Sequence, residues 1–203
     1  MAHERHSVYP GTDMQEKTDE EIALRVQAGE QDAYGDLISR YETKLMRYAR
    51  KFLSDKEDAT DIVQDIFIKA YENIQSFDAT RRFSPWIYRI AHNEFVNALK
   101  KKATRRIVFT IDMDTLFPHL ASSETADSAA LERDMRETLE KHLEGVSMKY
   151  REPLVLYYLE SLDYKEISEI LQIPVSTVGV RLARGRASLQ KIAAAQPDKP
   201  LYE

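Results

Sequence analysis

Residues 163–191 read DYKEISEILQIPVSTVGVRLARGRASLQK. Asp163 followed three residues later by Glu166 is a capping-box pattern, and Ile167, Ile170 and Leu171 then recur at the spacing of one helix face. The periodicity stops at Gln172-Ile173-Pro174, where proline cannot continue a helix, and Ser176 is placed to cap a second one. A short helix, a tight turn and a longer helix make a helix-turn-helix, whose second helix enters the major groove of DNA. At 100° per residue, Val178, Leu182 and Leu189 fall on the inner side of that second helix, and Thr177, Arg181, Arg184, Ser188 and Lys191 on the outer. No acid occurs from Thr177 to Lys191, so the outer face is suited to phosphates.

A second basic segment lies upstream, where residues 81–102 read RRFSPWIYRIAHNEFVNALKKK. Ser84-Pro85 is a helix-start signal, serine as N-cap and proline at the first helical position. The expected helix runs from Pro85 to about Lys102, roughly 27 Å at ~1.5 Å per residue. Ile87, Ala91, Phe95, Ala98 and Leu99 take its packed face. Arg89, Asn93, Asn97 and Lys100 take the opposite face, with Trp86, the single tryptophan, at its start. Arginine and asparagine suit base edges and phosphates, and an aromatic ring beside them can stack on an unpaired base, which favours opened DNA over intact duplex. Trp86 also admits a plain reading as a partly buried anchor of the helix start.

Around these segments the chain of 203 residues is helical in pattern almost throughout, with period-two alternation nearly absent. The fold expected is all-α: two small helical domains joined by an acidic linker, the C-terminal one a helix-turn-helix. From Asp19 the pattern gives two helices broken near Gly29, with Tyr34, Leu37, Ile38, Tyr41, Leu45, Tyr48, Ala49 and Phe52 facing inward. The polar stretch SDKEDAT reads as a turn, and a third helix follows with Ile62, Ile66, Phe67, Ala70, Tyr71 and Ile74 inward. The divisions are a tail over 1–18, a first domain over 19–104, a linker over 105–130, a second domain over 131–194 and a tail over 195–203.

Charge is unevenly spread along the chain. The net charge is −5, yet residues 81–106 hold eight Lys/Arg against Glu94 alone, and residues 107–148 hold three against nine acids. A concentrated basic segment inside an acidic protein points to nucleic acid beside surfaces meant for other partners.

Absent residue types narrow the function. There is no cysteine, which removes disulfides, thiolate metal sites and thiol nucleophiles. The five histidines are scattered; His3 and His6 share a polar tail, where solvated side chains outweigh a metal pair. No catalytic residues, metal or cofactor are expected, since no Gly-rich phosphate loop or convergent carboxylate pair occurs, and a small helical enzyme is set aside. No apolar run is long enough for a bilayer and the N-terminus lacks a secretion-signal core, so no membrane insertion and a cytoplasmic location are expected. An autonomous helix-turn-helix regulator is the alternative. It would need a dimer interface and a sensor domain, and the acidic linker and the second basic helix argue against it.

The runs DATDIVQDIFIKAYENIQSF, FSPWIYRIAHNEFVN and YREPLVLYYLESLDYKEISEILQIPVSTVGVRLARGR resemble, in order and spacing, the extracytoplasmic-function (ECF) sigma factors of bacterial RNA polymerase. The likeness covers about Glu20 to Lys191. It implies a sigma factor that binds core RNA polymerase, recognises the −35 and −10 promoter elements and promotes melting. By that resemblance Asp58, Asp61, Gln64 and Asp65 meet the polymerase clamp helices. The loop Phe77 to Ser84 captures a flipped base, so that Phe77, Arg81, Arg82, Phe83, Trp86, Arg89, Asn93, Asn97 and Lys100 serve the melted −10 element. Ser176, Thr177, Arg181, Arg184, Ser188 and Lys191 serve the duplex −35 element. The linker is implied to thread the RNA exit channel, and an anti-sigma factor is the implied inhibitor. The chain departs from the family pattern at Gln172, usually glycine, and at Gly179, usually an arginine that reads DNA. Gln172 must take a left-handed conformation at roughly 1 kcal/mol or use another turn.

Overall fold

The computed structural model describes residues 17–53, 55–105, 138–139 and 141–195. His3, His6, the expected linker beyond Arg105 and the tail beyond Ala195 lie outside them. The described residues contain helices and no strand.

In the first domain α1 (Asp19–Gln27) opens on a capping box that the sequence reading did not single out. Thr18 Oγ1 accepts from the Glu21 N–H at 3.2 Å, and the Glu21 carboxylate accepts from the Thr18 N–H at 2.8 Å. Gly29, at φ +99, makes the expected break. α2 (Tyr34–Arg50) buries Tyr34, Leu37, Tyr41, Leu45, Tyr48 and Ala49, with Ile38 and Phe52 at the core edge. α3 (Lys56–Asn73) starts about one turn earlier than expected. Asp55 caps it by accepting from the Glu57 N–H at 2.8 Å, a contact of the kind worth about 1 kcal/mol. SDKEDAT is therefore mostly helix: its polar residues simply supply a solvent face. Tyr71, expected inside, is 39% exposed.

α4 (Phe83–Arg105) also starts before its expected first residue. Glu20 of α1 reaches across and accepts from the Phe83 N–H at 2.8 Å, so Ser84 stands in the first turn and does not cap. A long-range carboxylate has replaced the local cap. The helix is roughly 34 Å long at ~1.5 Å per residue, and it packs against α3 and, from the second domain, against the helix that holds Glu166.

The second domain contains α5 (Met148–Leu154), which passes into a π-helical turn at Val155–Leu159. α6 (Tyr164–Leu171) and α7 (Val175–Ala195) follow. The capping box at α6 is present, with Asp163 Oδ1 accepting from the Glu166 N–H at 2.8 Å and Glu166 Oε2 from the Asp163 N–H at 2.9 Å. Gln172 adopts the left-handed region at φ 55, ψ 42. Ser168 supports that turn by donating its hydroxyl to the Ile173 carbonyl at 2.6 Å. α7 begins at Val175, so Ser176 lies inside the first turn, and the Thr177 and Val178 N–H groups donate to the Pro174 carbonyl at 2.9 and 3.1 Å. Val178, Leu182 and Leu189 are buried as expected. Gly185 is buried with them because a Cβ there would stand 2.9 Å from Leu154 Cδ1, which makes it the close-approach point of α7 on α5.

Candidate nucleic-acid and polymerase interfaces

Three surfaces follow from this framework. On α3, Asp61, Gln64 and Asp65 are exposed and Asp58 is half-buried. Asp61 and Asp65 stand one turn apart. Ile68, 56% exposed, continues the stripe, and Tyr71 stands near its end. The surface is acidic and runs into an apolar end, a combination that a merely solvated face does not need. Ile68 went unassigned in the sequence, outside both the inward stripe and the acidic face, although it falls three residues after Asp65 on the outward spacing.

The loop between α3 and α4 is held from α1. The Gln27 side-chain amide donates to the carbonyls of Ile74 at 2.7 Å and Phe77 at 2.8 Å. Asp78 folds the loop tip by accepting from the Thr80 N–H at 3.0 Å and the Thr80 hydroxyl at 2.7 Å. Those donors hold the Asp78 carboxyl below its usual range. Sequence reading placed Phe77 and Phe83 among DNA-facing residues. Here they are 5% and 0% exposed, and their rings lie 5.3 Å from that of Trp86. They are the floor on which Trp86 rests, so neither ring offers a free face. Trp86 is half-buried, which suits the anchor reading, but it still lines a cleft.

That cleft, about 480 Å³, is lined by Trp86 together with Arg81, Arg82 and Arg89. Asn93 and Asn97 are exposed farther along α4 and do not line it. The side chain of Lys100 lies outside the described residues. The opposite wall comes from α6 and was not anticipated. Arg81 Nη2 donates to Glu169 Oε2 at 2.7 Å, and Arg82 Nη1 donates to Glu166 Oε1 at 2.5 Å. Glu166 thus divides its oxygens between the α6 cap and an arginine of the first domain.

On α7, Ser176, Arg184 and Lys191 are exposed, and Thr177, Arg181 and Ser188 are half-buried. A Cβ at Gly179 would meet only Tyr164 Cε2, at an ordinary 3.6 Å. Packing does not require glycine at this position, unlike Gly185.

Within the described residues no helix is long and apolar enough to cross a membrane. Family models for Sigma-70 region 2 and Sigma-70, region 4 match residues 37–105 and 136–189. The ECF RNA polymerase sigma factor SigW of Bacillus subtilis is 35% identical over 82% of this chain and 92% of its own length. The ECF RNA polymerase sigma-E factor of Escherichia coli is 31% identical over 85% and 92%. Among solved structures, CnrH in complex with the cytosolic domain of CnrY has the same fold, with a TM-score of 0.63 and 24% identity over 89% of this chain and 99% of that one. The two matched regions, in this order and with relatives aligned along both, make the chain a member of the ECF RNA polymerase sigma factors.

Proposed function

We propose that this sigma factor docks on core RNA polymerase through the face of α3 formed by Asp58, Asp61, Gln64 and Asp65, with Ile68 next along the same stripe. The observation that carries the assignment is the exposure of an isoleucine amid carboxylates. Charged groups steer the encounter and the adjoining apolar side chain supplies burial on contact. The holoenzyme then uses two DNA surfaces. Arg184, Lys191, Ser176, Thr177, Arg181 and Ser188 on α7 serve the duplex −35 element. The loop and α4 serve the melted −10 element, with Arg81, Arg82 and Lys100 on phosphates, Arg89, Asn93 and Asn97 on bases, and Trp86 beside a flipped base. Unstacking a base costs a few kcal/mol, which an aromatic and cationic cleft offsets. Phe77 and Phe83 act by positioning Trp86.

In this reading the protein contributes no catalytic residue, and phosphodiester bond formation stays with the polymerase. It acts in the cytoplasm, and an anti-sigma factor is its inhibitory partner, as the family resemblance implies. The test is charge reversal at two exposed carboxylates. D61K/D65K is expected to weaken core-polymerase binding at least about tenfold while leaving the circular dichroism and melting temperature close to the parent. Unchanged affinity in a pull-down or fluorescence titration would reject the α3 assignment.

A further inference from the structure

Val178, Leu182, Gly185 and Leu189 are the buried residues of α7. At about 100° per residue they fall within an arc of about 60°. The line opposite that arc runs through Ser176, Val180, Ala187 and Lys191, with Ala183 on one edge and Arg184 on the other. Thr177, Arg181 and Ser188, all half-buried, stand on the flank beside Arg184, where a side chain reaches phosphates sooner than base edges. Base edges are met by the N-terminal part of a recognition helix. Over residues 175–184 the outward groups are Ser176, Val180, Ala183 and Arg184, so the middle of the reading face is apolar.

Neither the core nor the helix calls for a valine at position 180. Among the described residues, Val180 belongs neither to the buried core nor to the apolar residues packed against it. As a β-branched residue it is also a weaker helix former than alanine. What it places on the outward line is two methyl groups and no polar atom. Gly179 beside it is equally unexplained by packing, since a Cβ there would meet only Tyr164 Cε2, at 3.6 Å. Gly179 lies on the flank away from Arg184, next to the Ala183 edge. Small residues on that side let the helix settle deep in a groove, while the cations hold the opposite wall.

The chemistry of the groove then limits what Val180 can select. Guanine and adenine are read by side chains with donors, such as arginine or asparagine, whereas thymine alone presents an apolar group in the major groove, its C5-methyl. We propose that Val180 is a specificity-determining residue of the −35 surface and selects a thymine through that methyl group. Gly179 and Ala183 supply the clearance that seats it, and Arg184 anchors the DNA alongside. The proposal rests on the −35 assignment of α7 made above.

Deoxyuridine isolates the contact, because it lacks only the methyl and keeps the O4 acceptor and the base pairing. Holoenzyme assembled from core polymerase and the full chain is titrated with a promoter fragment taken from its mapped start sites. Each −35 thymine, on either strand, is replaced singly by uracil. One replacement is expected to weaken binding about fourfold, the effect of one buried methyl. Val180→Ala is expected to bind the thymine and uracil forms alike, and alanine's better helix propensity keeps the variant folded. Arg184→Ala is expected to weaken both forms about tenfold and to leave their ratio at about fourfold. If no replacement matters, or the element holds no thymine, while Arg184→Ala still weakens binding, the methyl readout is overturned and the −35 assignment stands. A fourfold effect that persists in Val180→Ala overturns the assignment to Val180. Binding that ignores both Arg184→Ala and scrambling of the −35 element overturns the −35 assignment, and the inference with it.

Discussion

The two domains are packed from different materials. The first is built around rings: Tyr34, Tyr41, Tyr48, Phe83, Tyr88 and Phe95 are all buried. The second is mostly aliphatic, with Leu154, Leu156, Ile167, Ile170, Leu182 and Leu189 buried and Gly185 letting two helices close on each other. An aliphatic side chain needs nothing further once buried, whereas a buried phenol needs an acceptor. Tyr34 and Tyr41 find theirs inside their own domain, on the Phe67 carbonyl at 2.6 Å and Asp19 at 2.6 Å. Tyr48 and Tyr88 find theirs on Glu152 and Glu160 of the other domain. The aromatic core therefore reaches out to its neighbour through hydroxyls, and the aliphatic core answers with carboxylates from its surface.

Substitutions should separate the two materials. Leu154→Ala, at a site 0% exposed, is expected to cost about 2–5 kcal/mol in thermal or urea unfolding of the second domain. A loss spread equally over both domains would mean that they fold as one unit. Gly185→Ala forces a methyl to within 2.9 Å of Leu154 and is expected to cost about 1–3 kcal/mol. Gly179→Ala, on the same helix but with only an ordinary 3.6 Å contact to Tyr164, is expected to stabilise by up to about 1 kcal/mol. Opposite signs at the two glycines, read from melting temperatures, would sharpen the contrast between a packed and an unpacked position.

A smaller effect concerns pH. Burial first, then the neighbouring carboxylates, raises the Tyr48 and Tyr88 hydroxyls well above their ordinary 10.0. A group raised in the folded state contributes stability that is complete below its unfolded pKa and is lost as pH rises through the folded one. The domain contact is therefore expected to be insensitive to these phenols below about pH 10 and to loosen above it. Phenolate absorbance, followed together with energy transfer between labels on E42C and Q190C, at exposed positions of α2 and α7, checks this. Full ionisation of Tyr48 and Tyr88 near pH 10 with no change in domain distance would contradict their burial against carboxylates.

The sequence made the helices legible where apolar spacing was long and caps were local. The inward stripe of α2, the capping box of α6 and the outer basic face of α7 could all be read in this way. Where a partner came from far along the chain, local reading misplaced the boundary: Glu20 starts α4 at Phe83, so Ser84 lost its capping role. α3 was begun late because charged residues are as compatible with a helix surface as with a turn. Glu166 was legible as half of a capping box, but its pairing with Arg82, like that of Glu169 with Arg81, depends on how the domains meet, and no periodicity encodes that. Phe77 and Phe83 were placed on DNA only because the loop Phe77 to Ser84 resembles the family's base-capturing loop; their burial follows from a ring cluster assembled by three segments.

Promoter-directed transcription by purified core polymerase tests the central claim most directly. With this protein added, start sites mapped across genomic DNA should collapse onto a small set that shares −35 and −10 sequences. The protein alone should bind those same duplexes weakly at physiological salt. Start sites unchanged by its addition, or tight duplex binding by a dimer of the protein without polymerase, would contradict the account.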